Sequence, residues 1–122
     1  MQDEAFALLQ YAADYLQKPI PDLPIITIDP DLTDLGRIEW GLRTRIKLKH
    51  WRDGNVFDRS VLLHELVHRT QHWHDMELSE VEAITCQCRF LQSQGIDPRT
   101  ELSFEQVLDM TQDETFSKLE WL

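Results

Sequence analysis

The sequence predicts an α+β domain, in which a small antiparallel or mixed β-sheet is followed by two helices that carry chemically active side chains. Three observations lead to this fold class. Residues 1–18 place apolar side chains at helical spacing, residues 24–51 contain short β-rich runs separated by turns, and helical patterns return at 58–74 and 79–94. With 122 residues, the chain is expected to form one domain over residues 1–122.

The first helix is predicted from four apolar residues spaced three or four apart, which are Phe6, Leu9, Ala13 and Leu16. Pro19 and Pro21 follow and end it, because proline lacks a backbone donor and restrains the residue before it. The other end of the chain, residues 103–122, is predicted as a weaker C-terminal helix and a tail. That tail either anchors on the core or covers a cleft.

The sheet is predicted from three β-rich runs at residues 24–28, 37–42 and 45–51. In the third run, apolar residues alternate with basic ones. An extended acidic peptide could add as a strand beside the Arg45 to Trp51 edge, although an ordinary solvated strand face explains the same charges.

Residues His64-Glu65-Leu66-Val67-His68 form the motif that indicates a chemistry. On a helix, His64 and His68 lie one turn apart on the same face, so both imidazoles can reach one zinc ion. Glu65 lies beside them and can take a proton from a metal-bound water. The apolar flanks favour a helix, with Asp58 or Ser60 as its cap. The alternative is a core helix whose histidines are hydrogen-bonded internally.

Two histidines are short of the three protein ligands that a catalytic zinc usually has. Glu80 is the preferred third ligand, because at about 100° per residue it lies at the edge of an apolar stripe that can pack on the motif helix. Glu82 falls on the polar side, beside Thr85 and Arg89, and is the alternative. It also completes a capping box in which Ser79 is the N-cap and Glu82 reaches back to the Ser79 amide.

His74 is the other alternative, since His64, His68 and His74 repeat the offsets of the His-Glu-x-x-His-x-x-Gly-x-x-His pattern. In that pattern a glycine turns the chain sharply, whereas Gln71 stands at this position and adopts positive φ poorly. His72, one turn after His68, and His50 are candidates for a donor to the transition state. The tyrosines, Tyr11 and Tyr15, are in the first helix.

Composition limits the possible partners. The formal net charge of −10 argues against nucleic acid, and a bound divalent cation such as Zn²⁺ would offset part of it. No apolar run is long enough for a membrane span and no basic leader precedes one, so a cytoplasmic protein is expected. Cys86 and Cys88, two apart on a helix, are expected to be small buried residues without a disulfide.

These residues resemble the gluzincins, zinc peptidases with His-Glu-x-x-His on one helix and a glutamate ligand on the next. The chain looks most like their minimal, single-domain members, with a zincin-like domain. The resemblance covers 24–91 in layout but only His64 to His68 and Glu80 to Ala83 in motif, where Ala83 is the small residue that lets the helices approach. Ile84 replaces an aspartate that often follows the ligand glutamate, and the connection from His68 to Glu80 is short.

The resemblance implies hydrolysis of peptide bonds in a peptide or protein substrate. His64, His68 and Glu80 would hold Zn²⁺, and Glu65 would act as the general base toward a zinc-bound water. The alternative is a non-catalytic zinc-binding or interaction protein with the same fold.

Overall fold

The computed structural model of this chain describes residues 1–101, so the predicted helix and tail at 103–122 lie outside the described residues. None of the helices in the described part is long and apolar enough to cross a membrane. The elements follow the order α1 (Gln2–Leu16), β1 (Ile25–Ile28), β2 (Gly36–Glu39), β3 (Arg45–Leu48), α2 (Val56–Trp73), α3 (Glu80–Ser93) and α4 (Pro98–Glu101).

The predicted α+β class is confirmed, and the sheet is mixed. Its order is β1-β3-β2, with β1 parallel to β3 and β2 antiparallel to it. The prediction that a peptide could pair beside the Arg45 to Trp51 run is therefore wrong, because β3 is the central strand and both its edges are occupied. The crossover between β1 and β3 causes this, since β2 pairs on the far side of β3.

The core forms where α2 lies between the sheet, α1 and α3. Ile46 and Leu48 of β3 are fully buried, as are Leu9 of α1 and Leu62 and Leu66 of α2. Full burial of each such side chain contributes roughly 1.5–3 kcal/mol to folding. The helix that carries the histidine motif is therefore packed on several sides, which holds its polar side chains in defined positions.

Helix α2 begins at Val56, two residues before the predicted start, and its cap differs from the prediction. Asn55 is the N-cap, and its side-chain oxygen accepts a hydrogen bond from the Asp58 amide at 2.9 Å. Asp58 has another partner, because its buried carboxylate accepts two hydrogen bonds from the Arg52 guanidinium and one from the Arg52 amide. Ser60 donates to the Phe57 carbonyl inside the helix. Neither Asp58 nor Ser60 is the cap.

The Asp58 carboxylate gives the fold a pH dependence with a definite sign. Burial alone would raise the pKa of Asp58, but the hydrogen bonds and charge of Arg52 outweigh burial and hold it below the ordinary value of 3.8. A group with a lowered folded pKa stabilises the protein above its unfolded pKa and loses that contribution as pH falls through the folded pKa.

We expect Asp58→Asn to lower the free energy of unfolding by about 1.5–3 kcal/mol at pH 7, because it removes charge-assisted hydrogen bonds to Arg52. The difference from the wild type should narrow as pH falls below 3.8, the ordinary pKa of this carboxyl group, and should narrow further as pH falls through the lower pKa of the folded protein. Urea unfolding at several pH values measures it, with the exposed Asp53→Asn as control. A difference that stays constant down to pH 2 would contradict the ion pair.

Helix α3 begins as predicted, with Ser79 as N-cap accepting from the Glu82 amide at 3.2 Å. The second half of the predicted capping box is not formed. The Ser79 amide donates to Oε1 of Gln71, and Glu82 Oε1 accepts from the Gln71 side-chain amide at 3.2 Å. A glutamine from α2 thus replaces the local contact, which ties the two helices together.

Helix α3 buries side chains outside its apolar stripe as well as those within it. Thr85, predicted on the polar side, is buried and donates to the Val81 carbonyl, while Arg89 is exposed as expected. Side chains of α1 also reach α3, where Tyr11 packs edge-on against Phe90. Tyr15 of α1 lies close to Thr85, so the first helix covers this side of α3.

Cys86 and Cys88 are both free and buried, which confirms their prediction. Burial raises the pKa of each thiol to about 12. Both are therefore neutral packing side chains at physiological pH, as expected for thiols enclosed by apolar neighbours.

Candidate metal centre

Helix α2 carries the two histidines of the motif on the side that faces the start of α3. The ring centroids of His64 and His68 are 5.1 Å apart, as the i, i+4 spacing predicts. His64 is half-buried and His68 is buried. Both rings therefore have their orientation limited by packing.

Glu80, the first residue of α3, brings its carboxylate to both imidazoles. Oε2 lies 3.2 Å from Nε2 of His64, and Oε1 lies 2.5 Å from Nε2 of His68. One ligand atom from each of the three side chains lies within 4.8 Å of the others. The structure thus brings together the three residues that the sequence predicted as metal ligands. The Glu80 side chain remains 67% exposed, so the cluster opens to solvent.

Nε2 of His68 is a buried polar atom without a hydrogen bond of acceptable geometry in the described residues, although Glu80 lies close by. Buried polar atoms are rarely left without a partner. Ligands about 2.0–2.1 Å from a tetrahedral zinc lie about 3.3 Å from each other, close to the separation between Glu80 and His64. Two imidazoles and one carboxylate are also a known zinc ligand set, so these residues fit that ion.

The charges in the cluster favour an ionised glutamate. The contacts with His64 and then His68 hold the pKa of Glu80 well below its usual range, even though burial opposes this. Burial lowers the pKa of His68, but Glu80 and Gln71 outweigh burial and raise it. The carboxylate is therefore available as an anionic ligand at neutral pH.

Two glutamines orient the imidazoles from behind. Oε1 of Gln87 lies 3.0 Å from Nδ1 of His64, and Oε1 of Gln71 lies 2.9 Å from Nδ1 of His68. An amide oxygen only accepts, so each Nδ1 donates to its glutamine and each Nε2 is the nitrogen that faces the cluster and can bind a metal ion when it is deprotonated. Such outer contacts set the tautomer and the ring orientation of metal-binding histidines.

The glutamines are themselves anchored, since both are buried. Gln71 donates to the Ser79 carbonyl and to Glu82, and Gln87 donates to Oγ of Ser60, each at 3.2 Å. The replacement of the aspartate by Ile84 put the support of the ligand histidine in doubt, but these amides supply it. The i, i+3 spacing of His68 and Gln71 was a usable signal for one of them.

We expect Gln87→Met to lower zinc affinity by about 10–100-fold, because His64 loses the partner that orients its ring. Methionine has a similar volume, so most of the packing is kept. Competition with a fluorescent chelator measures the affinity. The control is Gln94→Met, at the exposed C-cap of the same helix. An unchanged zinc affinity for Gln87→Met would show that the amide does not position the ligand.

Glu65 lies against β2. A Cβ added to Gly36 would be 2.9 Å from Cγ1 of Val61 and 3.4 Å from Cγ of Glu65, so glycine permits this close approach. Within residues 1–101, the Glu65 carboxylate has no hydrogen-bond partner. Burial raises its pKa, although the neighbouring histidines oppose the shift. The carboxylate is available to a molecule that enters the site.

The two alternative third ligands do not join the cluster. Glu82 is held by Gln71. His74 is the C-cap of α2, and its Nε2 donates to the Pro19 carbonyl at 2.8 Å. The helix continues through Gln71 to Trp73, so the chain makes no turn that would return His74 to the motif.

The candidates for an additional donor do not belong to the three-residue cluster within residues 1–101. His72 stacks on Trp40, with ring centroids 4.3 Å apart. His50 is near enough to the Asp58 carboxylate to lower its pKa. Asp58 itself precedes His64 by nearly two helical turns. Tyr11 and Tyr15 contact Phe90 and Arg89 of α3. Of these residues, His72 lies nearest along the helix to the motif.

The geometry defines an α+β domain in which two imidazoles and one carboxylate from neighbouring helices converge at a solvent-accessible point. The chain belongs to the family described as a domain of unknown function, DUF6647, whose profile matches residues 41–109, more than half of the chain. The matched range contains all three clustered side chains, Glu65 and both supporting glutamines. No curated protein and no solved structure matches the chain significantly.

Proposed function

We propose that this protein is a zinc-dependent metallopeptidase, a minimal gluzincin-type enzyme with a zincin-like domain. The observation that carries the proposal is the convergence of His64, His68 and Glu80, with each imidazole oriented by a buried glutamine. The Nε2 atoms of both histidines face the same carboxylate, so three side chains that can each bind a metal ion meet at one point.

In this proposal, Nε2 of His64, Nε2 of His68 and the Glu80 carboxylate hold the metal ion. When bound, zinc lowers the pKa of a water molecule and polarises a substrate carbonyl. Gln71 and Gln87 keep the imidazoles in the tautomer that can bind the ion. The exposed side of Glu80 leaves room for substrate.

Glu65 is proposed as the general base. Its carboxylate takes a proton from the water that attacks the peptide carbonyl, then delivers that proton to the leaving amine. Edge strand β2 lies next to Glu65 through Gly36, and its outer side has no strand partner within residues 1–101. An extended peptide that pairs with β2 would bring its backbone to the cluster, in place of the pairing first expected at β3.

Metal titration of the chelator-treated protein tests the proposal. We expect one zinc per chain, with X-ray absorption showing two nitrogen ligands from imidazoles and carboxylate oxygen. The zinc-loaded protein should cleave members of a mixed peptide library, and chelation should stop the cleavage. If the protein did not bind added zinc, the proposed metal site would be wrong. If it bound zinc but cleaved no peptide, only the proposed peptidase activity would be wrong.

The second candidate is a non-catalytic zinc-binding or interaction protein. One observation favours it, since the two tyrosines face α3 and His72 stacks on Trp40, so none of these donors contacts the cluster. A catalytic zinc keeps an exchangeable water ligand, whereas a structural zinc is closed. Water-proton relaxation of the cobalt-substituted protein distinguishes the two.

A further inference from the structure

A cleft lies between the C-terminal half of α2 and the segments that precede β1 and β3. Its volume is about 560 Å³. We call it the basic cleft and define it by Arg43, Thr44, Arg69, His72 and Trp73, and Asp22 also lines it. The proposed function does not use it.

Arg69 is a half-buried cation without an acidic partner. Its guanidinium donates to the Asp22 carbonyl and to Oγ1 of Thr44, and it stacks over the ring of Trp73. Within residues 1–101, no carboxylate lies within 4.0 Å of it, whereas Arg37, Arg52, Arg59 and Arg99 all have one. Arg43, Arg45 and Arg89 also have no ion pair within residues 1–101, but they are exposed, whereas Arg69 is half-buried.

Arg43 adds a second positive charge at the mouth of the cleft. It is exposed and has no ion pair or hydrogen bond to another described residue. Asp22 is the acidic residue of the lining. Burial lowers the pKa of Arg69, and the charge of Asp22 opposes this shift without cancelling it. Two arginines against one aspartate leave the cleft positive, so it attracts an anion.

The basic cleft is adjacent to the residues proposed for catalysis. Arg69 follows Glu65 by four residues on α2, so the two side chains lie on one face about 6 Å apart along the axis. His72 has the same relation to His68. An extended peptide advances about 3.3 Å per residue. A group one or two residues from the cleaved bond would therefore reach the arginines.

We propose that the basic cleft binds a carboxylate of the peptide substrate, through Arg43 and Arg69, and so selects substrates with that carboxylate one or two residues from the cleaved bond. The inference rests on the proposed function. Arginine is suited to this role because its planar guanidinium can donate two parallel hydrogen bonds to a carboxylate. The carboxylate belongs either to an acidic side chain or to the C-terminus of a peptide.

Binding is tested without catalysis, by following the Trp73 indole resonance of the metal-free protein in NMR titrations. The probes are N-acetylglutamic acid α-amide, which has a side-chain carboxylate, and N-acetylalanine, which has a terminal one. N-acetylglutamine α-amide is the neutral control. We expect at least one carboxylate probe to shift the resonance saturably and the neutral probe not to do so. Equal responses to all three would overturn the proposal.

Arg43→Glu should weaken binding of the carboxylate probe by about tenfold or more, because it replaces a cationic hydrogen-bond donor with an anion that repels the probe. The side chain is exposed, so the variant should fold normally, as its melting temperature can verify. Arg45→Glu is the matched control, since Arg45 is equally exposed but does not line the cleft. If both variants weakened binding of the probe equally, the cause would be the net charge of the protein, and the basic cleft would not be a specific binding site.

Cleavage completes the test, with one peptide series that differs only in glutamate, glutamine or a free C-terminus near the cleaved bond. We expect the carboxylate-bearing peptides to have the higher kcat/KM, and Arg43→Glu to remove the preference. Cleavage without a preference for carboxylate-bearing peptides would contradict the proposed role of the basic cleft but leave the proposed peptidase activity intact. Carboxylate binding without any cleavage would keep the anion site and overturn the peptidase.

Discussion

Replacing Glu65 by glutamine is expected to leave zinc binding intact and to lower the rate of peptide hydrolysis by about 10²–10⁴-fold. The substitution keeps the size of the side chain and its place beside Gly36. It removes the group that can take a proton from the attacking water, and general-base catalysis contributes an effect of this size. The carboxylate has no hydrogen-bond partner within residues 1–101, so the fold should lose little stability.

The measurement pairs zinc stoichiometry with kcat/KM on the best peptide from the library. Glu77→Gln is the control, because Glu77 is exposed in the loop between α2 and α3 and lies outside the cluster. A Glu65→Gln variant that cleaves at the native rate would rule out Glu65 as the base. Loss of zinc in the same variant would instead make Glu65 part of the metal site.

Replacing Glu80 by alanine should lower zinc affinity by more than about 100-fold, because it removes one of three proposed ligands while outer contacts alone account for 10–100-fold. Glu82→Ala is the matched comparison on the same helix turn. Glu82 reaches the cluster only through Gln71, which orients His68, so its loss should cost about tenfold.

Chelator competition measures both affinities under the same conditions. Circular dichroism verifies that α3 remains folded, since Ser79 still caps the helix in each variant. A larger effect for Glu82 than for Glu80 would reverse the assignment of the third ligand and would require a different position of α3 in the loaded protein.

Local patterns were sufficient to predict the described elements other than the short helix α4. The spacing of apolar residues predicted α1, α2 and α3 to within about two residues, since helical periodicity depends only on neighbours along the chain. The same argument selected Glu80 over Glu82, because angular position on a helix follows from residue number. The errors at Asn55 and Thr85 arose where a loop or a third element supplies the contact.

The contacts that support the cluster depend on packing between elements that are distant in sequence. Gln87 reaches His64 because α3 lies against α2, and nothing in the residues around Gln87 indicates this. The central position of β3 likewise follows from a crossover. As a result, the strand edge that lies beside Glu65 belongs to β2 and not to β3.

By itself, the sequence determined that two imidazoles share a helix face and that a carboxylate begins the next helix, because backbone geometry sets both. Only the tertiary structure decided that this carboxylate meets both imidazoles, that His74 turns away to Pro19, and that Arg43 and Arg69 share a cleft. Those distances depend on how the helices and the sheet pack, and packing is decided by the whole core rather than by any local run of residues.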